Sequence, residues 1–358
     1  MRTLLIIISL FLLVSNPVVS QTTAKEKVEL ALENVIQNES SVGIAAGVIN
    51  NDLTLYFGKG FSDLDSKAPF NEETITRTAS IAKPMTAIAI MQLVEKGILK
   101  LENEIGDFIP EIKNKKLRKA TIKQVMQQTT GIKAYKNKKE AQNSTHYPSH
   151  LDAAKVFMNR KLLFDPGEGF RYSTYNYTLL AIIIERATQM DYEEYMTDNI
   201  FKKAEMHSTS VEVKGQYPEG KSMIYSKNNN RFQKITNSSL SDRVAGGGIQ
   251  STVEDILKFA NAVMNNTLIS QESLNKMTTS SGLKKEGNPY GMGWYIYGHN
   301  EEKGSIIGHS GGQQGCTAML FLIPKNKLAT VVLANTSGAN EVDRIANDLF
   351  SVGYEMKE

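Results

Sequence analysis

Short apolar runs, separated by turn residues, lie near both ends of the chain and are typical of β-strands. Residues 42–63 read as two short strands around a turn signal at Asn50–Asp52. Residues 317–336 read as a second pair of strands. Apolar residues at helical spacing flank these pairs, over residues 24–38 and 341–356. The two ends therefore predict strand pairs and helices.

The centre of the chain has a mostly helical pattern. Apolar residues recur at helical spacing in "MTAIAIMQLVEKG", "TIKQVMQQ", "YTLLAIIIERATQ" and "VEDILKFANAVMN". Two polar stretches, 135–152 and 223–239, read as surface loops. This order predicts an α+β fold, with an antiparallel sheet built from both chain ends and flanked by helices. A mainly helical region, roughly residues 84–260, would be inserted between the two ends.

The first twenty residues have the layout of a secretory signal peptide. Arg2 precedes an apolar run, residues 4–14, which is too short to span a bilayer as a helix. We expect cleavage near Ser20 and a mature domain over residues 21–358. An uncleaved anchor or a buried helix is the alternative. Because no second long apolar run follows, we expect a periplasmic or secreted protein with no membrane span after cleavage.

Composition argues against several classes of function. The formal net charge of +3 at pH 7 indicates neither a nucleic acid nor an anionic membrane as partner. Cys316 is the only cysteine of the sequence, so no internal disulfide can form. The five histidines lack the spacing of metal ligands, and we expect neither a metal nor another cofactor.

The pattern Ser-x-x-Lys can join an acylating serine to its proton partner, and it occurs three times. It spans residues 80–83, 273–276 and 281–284. The last two lie in mostly polar sequence and read as surface residues. The first is followed by Pro84 and a long apolar run. Because proline is tolerated only in the first turn of a helix, Pro84 predicts a buried helix that begins close to Ser80.

Ser80 and Lys83 would share one face at the N-terminus of this helix, where the helix dipole favours developing negative charge. A lysine at the mouth of a buried helix loses solvation, which favours its neutral form. Neutral, it can take the serine proton; charged, it can stabilise an alkoxide. An ordinary helix cap is the alternative role for Ser80, and this stretch alone does not decide between them.

Two further stretches carry candidate site residues. A turn at Pro166–Gly167 leads to Tyr172, just before a buried helical pattern. Taken alone, this tyrosine fits a hydrophobic core. Residues 309–312, His-Ser-Gly-Gly, open a predicted strand, where small residues let a substrate backbone approach the strand edge. Taken alone, this glycine cluster fits an ordinary turn.

Together the three stretches resemble the serine β-lactamase and penicillin-binding-protein superfamily, and most closely its class C β-lactamase-like branch. The pattern of that branch is Ser-x-x-Lys, Tyr-x-Asn and Lys- or His-[Ser/Thr]-Gly, and the counterparts begin here at Ser80, Tyr172 and His309. The likeness extends from about Val42 to Asn335. It includes the segments "TIKQVMQQTTGI", "PGEGFRYS", "AGGGIQSTVEDILKFANAVM" and "YGMGWY".

The resemblance implies a role for each matching residue. Ser80 would be the acylated nucleophile and Lys83 would share its proton. Tyr172 would be the general base, with its pKa lowered by Lys83. The backbone N–H groups of Ser80 and Gly312 would form the oxyanion hole. The residues implied in substrate binding are Thr174, His309, Ser310 and Gly311, with His309 and Ser310 on the carboxylate side of the substrate or shuttling protons.

Three positions depart from the family pattern. Thr174 stands where asparagine is usual and offers a hydroxyl in place of an amide. Gln128 stands where a histidine is common, which we interpret as structural. His309 replaces the lysine of class C β-lactamases; with an ordinary pKa of about 6.5 it would be largely neutral at pH 7 and would hold a carboxylate less firmly. The departures favour a peptidase or esterase over a dedicated β-lactamase.

The sequence therefore predicts an exported serine hydrolase that acts through a Ser80 acyl-enzyme. Its substrate would be a small peptide, a D-amino-acid peptide of cell-wall origin or an ester, and a β-lactam could act as a covalent inhibitor. Two alternatives stay open. One is a catalytically weak protein that binds or senses peptidoglycan fragments, and the other is a β-lactamase.

Overall fold

The computed structural model describes residues 23–142, 144–229, 231–283, 289–300 and 304–356. The predicted signal peptide, residues 1–20, lies outside the described residues, and so does Lys284 of the third Ser-x-x-Lys pattern. Export therefore stays a prediction. In the part of the chain that the structure describes, we find no helix with the length and apolar character needed to cross a membrane.

The strands follow the predicted distribution, with the long ones near the two chain ends. In chain order they are β1 (Gly43–Asn50), β2 (Leu53–Asp63), β3 (Ala68–Pro69), β4 (Thr76–Arg77), β5 (Ser210–Val211), β6 (Tyr225–Asn228), β7 (Arg231–Lys234), β8 (Ile249–Ser251), β9 (Tyr295–Asn300), β10 (Gly304–Gln313), β11 (Cys316–Ile323) and β12 (Leu328–Ala334). Among the described residues, seven of them form one antiparallel sheet in the order β3-β2-β1-β12-β11-β10-β9. The predicted antiparallel sheet from both chain ends is confirmed.

The helices lie between and beside these strands. They are α1 (Ala24–Gln37), α2 (Ala82–Glu95), α3 (Ile105–Phe108), α4 (Lys115–Arg118), α5 (Ile122–Met126), α6 (Lys138–Ala141), α7 (His150–Ala154), α8 (Tyr175–Thr188), α9 (Tyr192–Met196), α10 (Val244–Gly247), α11 (Val253–Met264), α12 (Gln271–Met277) and α13 (Val342–Glu355). The central helices predicted from periodicity are present as α2, α5, α8 and α11. The division of the chain at residues 84 and 260 stays a prediction.

Two expected loops contain regular structure. The stretch 135–152 holds α6 and the start of α7. The stretch 223–239 holds the β6–β7 hairpin, so reading it as a plain loop was wrong. The buried Tyr225 explains this hairpin, because its backbone N–H donates to Asn335 O at 2.9 Å and ties the polar strands to the end of β12.

Each face of the large sheet buries a separate apolar core, because successive side chains of a strand point to opposite faces. On β1, Ile44, Ala46 and Val48 pack in the core that includes α1 and α13. Ala45 and Ile49 pack in the other core, with the central helices. That second core also contains residues of the turn that carries Ser80, so the candidate site lies on the helical side of the sheet.

Candidate active site

Ser80 lies in a tight 3₁₀ turn, Ala79–Ile81, directly before α2. The helix begins at Ala82 with Pro84 in its first turn, as the sequence predicts. Gly97 follows its last residues with a φ of 70°, a left-handed conformation that glycine adopts without strain. Most of α2 is fully buried, so the turn that carries the serine is held on a rigid support.

Two side chains meet the hydroxyl of this serine. Ser80 Oγ lies 2.8 Å from Lys83 Nζ and 2.9 Å from the hydroxyl oxygen of Tyr172. Ile81 occupies the N-cap position of α2, and among the described residues no side chain caps the helix there. The alternative interpretation of Ser80 as a helix cap is therefore wrong, and its hydroxyl belongs to a three-residue cluster.

Lys83 is completely buried. Its Nζ also lies 2.5 Å from Gly246 O and 3.4 Å from Thr174 Oγ1. Burial lowers the pKa of Lys83 well below its usual value, and the positive charge of Arg243 lowers it further. The neutral amine expected from the sequence is therefore the form that this environment favours.

Tyr172 differs from its expected state. Burial raises the pKa of Tyr172 well above its usual value; the hydrogen bond with Ser80 opposes the rise, and nearby Tyr295 and Tyr177 add to it. The prediction that Lys83 lowers this pKa is wrong, because an amine held neutral supplies no positive charge to stabilise a phenolate. The tyrosine enters the site as a neutral phenol.

Gln128 fixes the backbone on both sides of Tyr172. Its side-chain Oε1 accepts from the backbone N–H of Ser173 at 3.0 Å and from Asn176 Nδ2 at 2.6 Å. Its backbone carbonyl accepts from the N–H of Arg171 at 2.9 Å. Gln128 is completely buried. The hydrogen bonds described for it involve neither Ser80 nor Lys83. It is a positioning residue, which agrees with the structural interpretation of this departure.

Thr174 occupies the N-cap position of α8, but its side chain faces the site. Among the described residues it makes no capping hydrogen bond, and its Oγ1 lies within reach of Lys83 Nζ. A Cβ at Gly246 would lie 2.6 Å from Thr174 Cγ2. The threonine methyl therefore fits because the residue opposite it is glycine.

Buried and exposed residues alternate over residues 309–312 of strand β10. His309 and Gly311 are buried, whereas Ser310 and Gly312 are exposed. A Cβ at Gly311 would lie 2.7 Å from Thr78 O, so glycine is required where β10 packs on the chain just before Ser80. This close packing brings the predicted strand beside the nucleophile.

The edge of β10 is open next to this contact. Within the described residues, β9 pairs with β10 as far as Tyr295 opposite Gly308, and residues 309–313 pair with β11 only. A Cβ at Gly312 would meet no described atom within 4 Å. An extended substrate could lie along this edge, and the oxyanion-hole role of Ser80 and Gly312 stays a prediction.

His309 is enclosed by the protein. It is 1% exposed, its Nδ1 lies 2.7 Å from Ser310 O, and its Nε2 lies 3.3 Å from the Tyr290 hydroxyl. Because a carbonyl only accepts, Nδ1 carries the hydrogen and Nε2 accepts from the phenol. Burial is the main cause that lowers the pKa of His309 to about 3. This imidazole is therefore buried and uncharged, which agrees with its expected neutrality at pH 7, and the roles of His309, Ser310 and Gly311 in substrate binding stay predictions.

Helix α10 contributes contacts that the sequence reasoning missed. Gly246 O accepts from Lys83, and the neighbouring Ala245 O accepts from Thr86 Oγ1 at 2.7 Å, so α10 is fastened to α2 at two points. Arg243, paired with Asp242 at 2.8 Å, supplies the positive charge near Lys83. The run of small residues in "AGGG" was the available signal, because only small residues allow so close an approach.

The second Ser-x-x-Lys pattern has a structural role. Ser273 is 5% exposed, and its Oγ donates to Glu95 Oε1 at 2.5 Å. Its expected place on the surface was wrong, because α12 packs this serine against the end of α2. Ser281, in the third pattern, is partly exposed.

A metal cofactor would need a cluster of ligating side chains. Within the described ranges, no group of three His, Cys, Asp or Glu side chains is placed to hold a metal ion. What the site does bring together is a hydroxyl nucleophile, an amine held neutral and a neutral phenol. Such a set can transfer an acyl group to serine and move the protons that this requires.

Solved structures share this architecture. A penicillin-binding protein from Bacillus halodurans superposes with a TM-score of 0.76 at 23% identity, covering 91% of this chain and 98% of that one. The D-amino acid amidase from Ochrobactrum anthropi SV3 superposes with a TM-score of 0.80 at 18% identity, covering 94% and 99%. At these identities the likeness establishes the β-lactamase/transpeptidase-like fold.

Sequence relatives extend the likeness. Penicillin-binding protein 4* of Bacillus subtilis is 26% identical over 355 residues, covering 93% of this chain and 78% of that protein. Protein flp of Staphylococcus aureus strain MW2 is 27% identical, and the chain spans 63% of its length. The predicted superfamily is confirmed, while the class C-like branch stays a prediction. Residues 28–350 match the beta-lactamase family, and the chain belongs to that family.

Proposed function

We propose that this protein is an exported serine hydrolase that cleaves an amide, peptide or ester bond through an acyl-enzyme on Ser80. The observation that carries the proposal is the pair of contacts at Ser80 Oγ, 2.8 Å from Lys83 Nζ and 2.9 Å from the Tyr172 hydroxyl. Membership of a superfamily of serine hydrolases supports it. An amidase among the structural neighbours supports an amide as one substrate class.

The hydrogen-bonding partners of Lys83 suit a neutral amine that acts as a base. A neutral amine has two N–H donors and one lone pair. The donors face Gly246 O and Thr174 Oγ1, which leaves the lone pair for the Ser80 O–H. As Ser80 Oγ bonds to the substrate carbonyl carbon, its proton passes to Lys83, and the carbonyl π electrons move onto the oxygen.

Tyr172 is placed to supply the proton that the leaving group needs. When the tetrahedral intermediate collapses, the bond from carbon to the leaving nitrogen or oxygen breaks, and that atom takes the phenol proton. The Lys83 ammonium then returns a proton to the phenolate, since both groups contact the same serine oxygen. A water molecule hydrolyses the acyl-enzyme by the reverse sequence, which restores Ser80.

The neutral His309 narrows the substrate. The family resemblance places a lysine at this strand position in class C β-lactamases. The side chain of His309, in contrast, is buried and uncharged. It offers no positive charge to a substrate carboxylate. We therefore favour hydrolysis of amides, esters and peptides that place no free carboxylate at this point, over removal of a C-terminal residue.

Covalent labelling tests the proposal. After incubation with a fluorophosphonate and, separately, a fluorescent penicillin, peptide mass spectrometry is expected to find the fluorophosphonate adduct on Ser80. Absence of an adduct with both probes contradicts the acyl-enzyme proposal. Retention of peptidoglycan fragments without turnover would then indicate a binding protein. Rapid nitrocefin hydrolysis would instead indicate a β-lactamase.

Tyr172→Phe tests the proton path. We expect a loss of about 10²–10⁴ in kcat/KM on an amide, whose amine leaves only when protonated. On the p-nitrophenyl ester of the same acid, which needs no such proton, we expect a loss of about tenfold or less. Steady-state kinetics on the matched pair measures both. Equal losses would contradict the relay, and Tyr354→Phe, on α13 at the far face of the sheet, is the control.

A further inference from the structure

Aromatic rings form one side of the candidate site. The rings of Tyr172 and Tyr295 stack with centroids 6.2 Å apart and planes 18° from parallel. Tyr290 lies against both, at 6.1 Å and 4.7 Å, and Phe170 lies 5.8 Å from Tyr290. Tyr290 is buried, whereas Phe170, Tyr172 and Tyr295 are partly exposed. We call these three partly exposed side chains the aromatic wall.

The aromatic wall stands where a substrate would meet the strand edge. Strand β9 begins at Tyr295, opposite Gly308, and the described edge of β10 is open from His309 onward. Tyr295 is therefore the last residue of β9 that pairs with β10. An extended substrate along the open part of β10 would begin next to it. The other end of the wall is the ring of Tyr172, whose hydroxyl contacts Ser80 Oγ. Groups beside the scissile bond thus lie close to these rings.

The wall is uncharged at neutral pH. His309, with its ring 5.1 Å from that of Tyr295, is a neutral imidazole. Burial raises the pKa of Tyr295, so its phenol keeps its proton. Planar faces without a formal charge favour another aromatic ring in stacked or edge-on geometry. They also attract cations, which makes a cationic group the competing ligand class.

We propose that the aromatic wall selects substrates that carry an aromatic side chain beside the scissile amide or ester bond. This inference rests on the proposed serine hydrolase function and names its substrate class. One aromatic contact favours a phenyl over a saturated ring of similar bulk by about two- to tenfold. That ratio separates recognition of an aromatic face from a simple preference for apolar bulk.

The test compares thioesters that differ in one group. The first set shares an ethanethiol leaving group and carries phenylacetyl, cyclohexylacetyl or trimethylammonioacetyl groups. The second set shares an acetyl group and carries benzyl or cyclohexylmethyl thiols, which covers the other side of the bond. Each kcat/KM is divided by the rate constant for alkaline hydrolysis of the same thioester, because the acyl groups differ in intrinsic reactivity. We expect phenyl to exceed cyclohexyl by about fivefold in this normalised kcat/KM in at least one set. Equal normalised values in both sets, or the highest value with the cation, would overturn the proposal.

Variants locate the selectivity in the wall. Tyr295→Leu is expected to bring the phenyl to cyclohexyl ratio close to one, whereas Tyr295→Phe keeps it because the ring remains. Tyr354→Leu, a matched change on α13, is expected to keep the wild-type ratio. Should Tyr295→Leu fail to fold, Phe170→Leu decides, with a lowered ratio expected. An unchanged ratio in the folded leucine variant overturns the proposal.

The labelling of Ser80 separates this inference from the function on which it rests. A small ethyl fluorophosphonate is applied to the wild type and to each variant. If the wild type is not labelled and hydrolyses no thioester, the serine hydrolase proposal fails. If Ser80 is labelled and thioesters are hydrolysed without preference for the phenyl group, only the selectivity of the aromatic wall fails.

Discussion

Ser80→Ala is expected to abolish fluorophosphonate labelling and the hydrolysis of every amide and ester, while the free energy of unfolding changes by less than about 1 kcal/mol. Activity is lost because no other oxygen is placed between Lys83 and Tyr172 in the described site. Stability is kept because Ser80 is only partly buried and caps no helix. Urea unfolding and ester kinetics on the purified variant measure the two effects.

Ser273→Ala is the matched control, since it removes the serine of the second Ser-x-x-Lys pattern. Its hydroxyl is buried and donates to the Glu95 carboxylate, so its removal is expected to cost about 1–3 kcal/mol of stability. Hydrolysis by the folded variant should match the wild type. A large loss of stability in Ser80→Ala, or loss of activity in Ser273→Ala, would contradict the assignment of the nucleophile.

Local sequence patterns were sufficient for the elements around the nucleophile. Pro84 and the apolar run behind it predicted where α2 begins, because proline restricts the backbone of its own neighbours. The hairpin signals at both chain ends likewise predicted β1, β2, β11 and β12. Such signals act over a few residues, which is why one sequence suffices to read them.

The protonation states of Lys83 and Tyr172 could not be predicted from such local patterns. The contact between Lys83 and Gly246 joins residues 163 positions apart, and the partly exposed Tyr172 is packed against a ring contributed by a distant strand. The family resemblance implied that the lysine and the tyrosine would be neighbours, and the expected lowering of the tyrosine pKa followed from that. The structure reverses this conclusion, because burial raises the pKa of the tyrosine itself and lowers that of the lysine.

His309 shows the same limit for substrate recognition. Its position in the His-Ser-Gly pattern was visible in the sequence, but the period of two residues along β10 could not show which face the strand turns inward. The contact of Gly311 with Thr78 fixes that face and buries His309 beside it. We therefore expect substrate contacts at the exposed positions of β10 and in the aromatic wall.

Lys83→Met is expected to lower kcat/KM by about 10²–10⁴ on both the amide and the activated ester, since both reactions need a base for Ser80. This pattern differs from that of Tyr172→Phe, which spares the activated ester. Methionine keeps the length of the side chain without a basic group. If Lys83→Met loses activity on the amide alone, the base for Ser80 is Tyr172 and not Lys83.

The pH dependence of stability tests the charge of Lys83 directly. With its pKa well below 10.5 in the folded protein, the unfolded chain binds a proton that the folded chain does not, so raising the pH through that window stabilises the fold. The free energy of unfolding of wild type minus Lys83→Met should rise by up to about 1.4 kcal/mol per pH unit, and urea titrations at several pH values measure it. Lys276→Met is the control: Glu272 raises the pKa of Lys276, which places its titration above 10.5 and leaves the difference flat below it. A flat difference for Lys83 as well would mean that the lysine stays charged in the fold, and Ser80 would then need another base.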